Sequence, residues 1–122
     1  MSSASPSETV ALSPNGDELR VRRFWLKVVA GKDEGKIVVS SGEKMVIGSH
    51  ESADLVLQDE AVSRFHCEID VRAGRPVLRD LESRNGTLLD GVSVLAAIPK
   101  DGALLSVGRT KVRFELRTEE SR

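Results

Sequence analysis

The chain has 122 residues, 39% of them apolar and 30% charged, and a formal net charge of -1. Those values suit one globular domain with a core of its own; they exclude two domains, a disordered chain, and a global field that would draw the protein to nucleic acid or an anionic membrane. A single cysteine, Cys67, excludes an internal disulfide and suits a reducing compartment.

Residues 1–19 read as a disordered tail, rich in serine, with Asn15-Gly16-Asp17 as a turn signal and little apolar material. The first residues lack the basic and apolar regions of a secretory signal, and no run approaches the roughly eighteen apolar residues of a membrane span. The expected location is the cytoplasm, with no membrane contact. Residues 20–118 form the expected domain, and 119–122 read as a polar end or the start of a linker. Arg20-Val21-Arg22-Arg23 reads as a solvated flank.

Phe24, Leu26, Val28 and Ala30 alternate with Arg23, Trp25, Lys27 and Val29, a period of two that predicts a strand. Further strand-like runs cover 36–40, 44–48, 54–57, 65–72, 76–81, 87–89, 92–95, 103–107 and 110–117. Turn signals separate them, among them Ala73-Gly74, Asn85-Gly86, Asp90-Gly91 and Asp101-Gly102. Ile69, Val71, Val77, Leu81, Val112, Phe114 and Leu116 alternate as half-buried strands require. Segment 92–98 is the most helix-tolerant because of Ala96 and Ala97, but Pro99 closes it. Many short strands with glycine turns predict an all-β sandwich or barrel.

Three polar clusters end apolar runs: Val46-Ile47-Gly48-Ser49, Val62-Ser63-Arg64-Phe65-His66 and Ser83-Arg84-Asn85-Gly86-Thr87. Each is poor core and good loop. Read alone, Ser63 caps a loop, Arg64 is a solvated arginine and Asn85-Gly86 is a turn dipeptide. Together with Asp54-Leu55-Val56-Leu57, Asp80-Leu81 and the closing Asp-Gly…Val-Gly-x-x-x-x-Phe, their order resembles the forkhead-associated (FHA) domain over roughly residues 24–117.

The resemblance implies a two-sheet FHA/SMAD-like β-sandwich of about eleven strands with ligand loops at one end. It implies a phosphothreonine-dependent interaction module whose partner is a phosphothreonine-containing protein or peptide, with a serine/threonine kinase or its substrate as candidates. Ser63 corresponds to the serine that donates to the phosphate, and Arg64 to a side chain that reaches phosphate or peptide. Asn85 corresponds to the asparagine that pairs with the ligand main chain. Gly48, His66, Gly86 and Thr87 correspond to residues that shape the binding loops. The chemistry agrees: phosphothreonine carries about -1.5 to -2 charges and three acceptor oxygens, so its site needs donors. One departure stands out. Relatives place an arginine after the first glycine, whereas this chain has Ser49 and then His50. Arg64, Arg84 and His50 are the candidate replacements. The alternative is a phosphate-independent interaction or dimerisation scaffold with a degenerate pocket. The Gly-Ser-His variant and its surroundings look like FHA domains at the N-terminus of bacterial enhancer-binding transcriptional activators.

Catalysis is not expected. His66 and Cys67 are strand neighbours that point to opposite faces, and no glycine elbow surrounds Ser63. Two histidines and one cysteine make no zinc spacing, no phosphate-binding loop is present, and no cofactor is implied. Aromatic residues are 3%, too few for a nucleic-acid stacking platform.

Overall fold

The computed structural model of the chain describes residues 11–12, 18–40 and 44–120. Among them are twelve strands: β1 (Ala11–Leu12), β2 (Glu18–Ala30), β3 (Ile37–Val39), β4 (Met45–Gly48), β5 (Leu55–Val56), β6 (Cys67–Arg72), β7 (Arg75–Asp80), β8 (Thr87–Leu89), β9 (Val92–Val94), β10 (Ala96–Ala97), β11 (Leu104–Val107) and β12 (Thr110–Glu120). One sheet runs β1-β2-β12-β11-β8-β9 with β3 also on β2; the other runs β10-β7-β6-β4-β5. Pairing is antiparallel throughout except for β4 with β5. The all-β sandwich read from the sequence is the fold of the protein.

The two sheets face each other because each strand buries alternate residues. β2 buries Phe24, Leu26 and Val28 and exposes Arg23 and Lys27. β12 answers with Val112 and Phe114, and the Phe24 and Phe114 rings sit 5.5 Å apart. The opposite sheet contributes Ile47, Leu55, Cys67, Ile69 and Leu78. Each fully buried large apolar side chain is worth about 1.5–3 kcal/mol relative to exposure, so this layer holds the sandwich together. Burial pushes the Cys67 thiol up to about 12, so it serves as a small apolar residue.

Three details depart from the alternation and lengths read in the sequence. In β7 the buried residues are Pro76 and Leu78, so Val77 and Leu81 run one step out of phase with the core; the Ile69↔Leu78 register with β6 decides this. The helix-tolerant stretch instead pairs Ala96 with Arg79 and Ala97 with Leu78, since two alanines before a proline cannot nucleate a helix. Of the stretch expected as a tail, residues 1–10 and 13–17 lie outside the described residues, while Ala11 and Leu12 pair with Leu19 and Glu18.

Register also places the site. Ile47 pairs with Cys67, and Cys67 with Asp80, so the end of β4, the start of β6 and the end of β7 share one edge. Val107 pairs with Thr87, which brings the β11–β12 turn to that edge as well. The loops 49–54, 57–66 and 81–86 therefore meet at one end of the sandwich.

Candidate functional site

Segment 60–66 lies in the middle of this edge, with 49–50 on one flank and 83–86 on the other. On the first flank the Ser49 amide donates to the Ser63 carbonyl (3.0 Å) and the His50 amide to the Arg64 carbonyl (3.1 Å). This close approach explains Gly48. Its backbone needs no positive φ, but an added Cβ would overlap the Arg64 carbonyl oxygen and lie 2.7 Å from the carbonyl carbon. The sequence suggests backbone freedom as the reason for Gly48; the structure gives steric room instead. Gly86 does take the left-handed region, at φ 84°.

On the other flank the Arg84 amide donates to Ser63 Oγ (2.9 Å), the Arg84 guanidinium to the Glu60 carbonyl (3.3 Å), and the Asn85 carboxamide to the Ala61 carbonyl (2.9 Å). A hydroxyl has one proton and two lone pairs. With Oγ accepting from Arg84, the Ser63 proton remains, and it is donated to no described residue. Arg64 is exposed, and its guanidinium makes no hydrogen bond or ion pair among the described residues. Asn85 likewise keeps its carboxamide oxygen and second N–H proton. The half-buried Ser63 hydroxyl thus lies against the Arg84 backbone, and Arg64, next in the chain, is exposed.

His66 fastens the loops from beneath. It is fully buried. The Ser63 amide donates to Nδ1 (3.0 Å), and Nε2 lies 2.7 Å from the Gly86 carbonyl. An amide only donates and a carbonyl only accepts, so the ring is neutral with its proton on Nε2. Its own amide donates to Ile47 and its carbonyl accepts from Leu81. Both ring nitrogens are occupied, so His66 has no free site for use as a base.

Asp80 performs the same service for loop 81–86. It accepts from the Ser83 hydroxyl (2.6 Å), the Ser83 amide (3.1 Å) and the Thr87 hydroxyl (2.7 Å), while Ser83 Oγ accepts from the Gly86 amide (2.8 Å). Burial raises the Asp80 carboxyl, and these donors outweigh it, so it sits below the ordinary carboxylate value. The loop turns sharply enough to place Glu82 at φ 55°. Asp59 pins the 57–62 segment to the β11–β12 turn by accepting from the Ala61 and Arg109 amides and the Thr110 hydroxyl. It too is lowered on balance: burial pushes it up, and the hydrogen bonds from Thr110, Ala61 and Arg109 prevail.

All ten candidate residues of the sequence reading, Gly48, Ser49, His50, Ser63, Arg64, His66, Arg84, Asn85, Gly86 and Thr87, gather at this edge. Ser49 contributes its amide to the loop frame, and His50 stacks on Phe65 with ring centroids 5.0 Å apart. Asp80, Asp59 and Phe65 were not among the candidate site residues, although Asp80 and Phe65 lie in the motifs that carry the resemblance. Asp80-x-x-Ser83 carried a signal, since aspartate and serine at that spacing build a side-chain turn. For Asp59 the link that matters carried none, because Arg109 and Thr110 are about fifty residues away. Among the described residues, no three His, Cys, Asp or Glu side chains converge as metal ligands.

A curated relative, FHA domain-containing protein FhaB of Mycolicibacterium smegmatis, is 32% identical over 105 residues, 85% of this chain and 67% of that protein. The chain is a forkhead-associated domain. Residues 27–118 also belong to the Yop-YscD_cpl family, described as the cytoplasmic domain of an inner membrane component of T3SS. The FhaB protein of Mycobacterium tuberculosis is 32% identical over 91 residues, 74% of this chain, so the domain spans 59–67% of these first relatives. An oxoglutarate dehydrogenase inhibitor of Corynebacterium glutamicum is 26% identical over 110 residues, 90% of this chain and 77% of that protein. A solved structure from work on phosphothreonine-dependent FHA domain interactions superposes with a TM-score of 0.72 at 26% identity, covering 78% of this chain and 97% of the other. The FhaA FHA domain, solved in complex with the intracellular domain of Rv3910, gives 0.69 at 27% identity, covering 75% and 99%.

Proposed function

We propose that this FHA domain binds a phosphothreonine-containing segment of a partner protein across the edge formed by loops 49–54, 57–66 and 81–86. The observation that carries this reading is the Ser63 hydroxyl, which accepts from the Arg84 amide and keeps its own proton for a ligand, in a loop edge where Arg64 and Arg84 are both exposed. Ser63 donates to a phosphate oxygen. Arg64 supplies the charge that relatives place after the first glycine, with Arg84 and the His50 ring beside it. A guanidinium does this well because its planar fork meets two oxygens at once. Asn85 pairs with the ligand main chain through its free carboxamide groups. Gly48, His66, Gly86 and Thr87 hold the loops in shape. No bond is made or broken, and no cofactor or metal is needed.

In this reading the recognition domain of a bacterial signalling protein in the cytoplasm runs from β2 to β12, because Glu119 and Glu120, expected as a linker, pair instead with Arg20 and Leu19. The partner is a serine/threonine kinase or its substrate, and the output is control of transcription; neither nucleic acid nor membrane is contacted directly. The bacterial FHA relatives and the activator-like Gly48-Ser49-His50 variant support this context. Fluorescence anisotropy with a phosphothreonine peptide tests the core of it. Binding that needs the phosphate, weakens with added salt and is lost in Ser63→Ala is expected. Equal binding of the unphosphorylated peptide would overturn it.

Ser49 in place of a cation favours one other reading, a phosphate-independent scaffold. Salt-insensitive self-association unaffected by phosphopeptide would support that reading.

A further inference from the structure

Phe65 is 43% exposed, an unusual place for a phenylalanine in a loop whose neighbours Val62 and His66 point into the core. The ring fills no interior space there. It lies instead against the His50 ring, with centroids 5.0 Å apart and planes tilted by 35°. His50 is itself fixed before any ligand arrives. Its Nδ1 accepts from the Ser52 amide (3.0 Å) and lies 2.9 Å from Ser52 Oγ, its amide donates to Arg64, and its carbonyl accepts from Ala53. An amide donor at Nδ1 puts the proton on Nε2, where no described residue accepts it. The two rings form a rigid apolar ledge with one polar corner.

The position of this ledge gives it a use. Segment 63–64 has His50 on one flank and Arg84 and Asn85 on the other. A peptide whose phosphothreonine sits over Ser63 and whose main chain is held by Asn85 must, on its other side, run over His50 and Phe65. We propose that the Phe65–His50 ledge takes an apolar side chain of the bound segment, an aromatic ring fitting best, on the side of the phosphothreonine away from Asn85. The proposal rests on the phosphothreonine reading above and names what that site selects beyond the phosphate. Ring-on-ring contact is directional and adds to simple area burial, and a ledge already ordered loses little freedom on binding.

The test is a set of phosphothreonine peptides in an alanine background, with phenylalanine placed in turn at each of the nearest positions on either side. Affinities are measured by anisotropy for the wild-type domain and for Phe65→Ala. A gain of about three- to tenfold is expected at positions on one side only. In Phe65→Ala that gain falls to within about twofold, whatever happens to the parent affinity, so the coupling between the two changes is the readout. Phosphopeptide binding with no preference on either side, or a preference that survives Phe65→Ala, would remove this inference and leave the phosphate reading standing. No phosphopeptide binding at all would remove both.

Discussion

Replacing His66 with alanine tests the loop frame most severely. The ring is fully buried and joins two loops through the Ser63 amide at 3.0 Å and the Gly86 carbonyl at 2.7 Å. Alanine leaves both backbone groups without that partner, and each orphaned buried group costs about 1–3 kcal/mol. The lost packing of the ring brings the total to about 3–6 kcal/mol, a large share of the stability of a domain this size. At about 4 °C or more per kcal/mol, the midpoint of thermal unfolding should fall by at least about 10 °C in a circular dichroism melt. Hydrogen exchange should show the Ser63 amide losing its protection, together with Gly86 and its neighbours. A fall of under about 3 °C with Ser63 still protected would mean that the ring is not the brace described here.

Gly48→Ala should also destabilise, by about 1–3 kcal/mol, because the methyl group forces the Arg64 carbonyl away and strains the Ser49–Ser63 pairing; a melt matching wild type would refute the close approach. Arg64→Ala and Arg84→Ala should each weaken phosphopeptide binding by roughly ten- to a hundredfold, as expected for loss of a charge-assisted hydrogen bond, with less change for the unphosphorylated peptide; calorimetry showing both variants unchanged would end the idea that these arginines replace the missing one. Asp80 lies below the usual 3.8 because its hydrogen-bond donors outweigh burial. Its contribution is therefore complete above that value and is lost as pH falls through the lower folded value. Asp80→Asn should flatten the acid limb of the stability curve below about pH 4 in urea titrations, and an unchanged limb would contradict this. Cys67, pushed up to about 12 by burial, should resist alkylation at neutral pH until the domain unfolds.

Much of the fold could be read because strands announce themselves locally. The alternation of Phe24, Leu26 and Val28 and of Val112 and Phe114 is a period-two signal contained in a few residues. Pairing was not legible in the same way. That β8 leaves β7 and joins β11, or that β10 returns to β7, depends on contacts between distant segments. The out-of-phase reading of β7 has the same origin: Val77 and Leu78 are both apolar, and only the register with Ile69 decides which faces the core. The site shows a similar division. Its polar clusters stood out as loops, and their joint order carried the family resemblance. The Asp59 link to Arg109 and Thr110, and the stack of His50 on Phe65, join segments that no local pattern connects. Gly48 was legible as important, but its reason, a carbonyl pressed against the backbone, exists only in three dimensions.

The central claim is that donors at Ser63, Arg64, Arg84 and Asn85 read a phosphate and the chain that carries it. A two-dimensional amide NMR titration with a phosphothreonine peptide, run beside its unphosphorylated twin, addresses that claim most directly. The account predicts shifts concentrated at residues 49–50, 63–66 and 83–86 with the phosphopeptide alone. Absence of shifts at millimolar phosphopeptide, or the same shifts from the unphosphorylated twin, would contradict it.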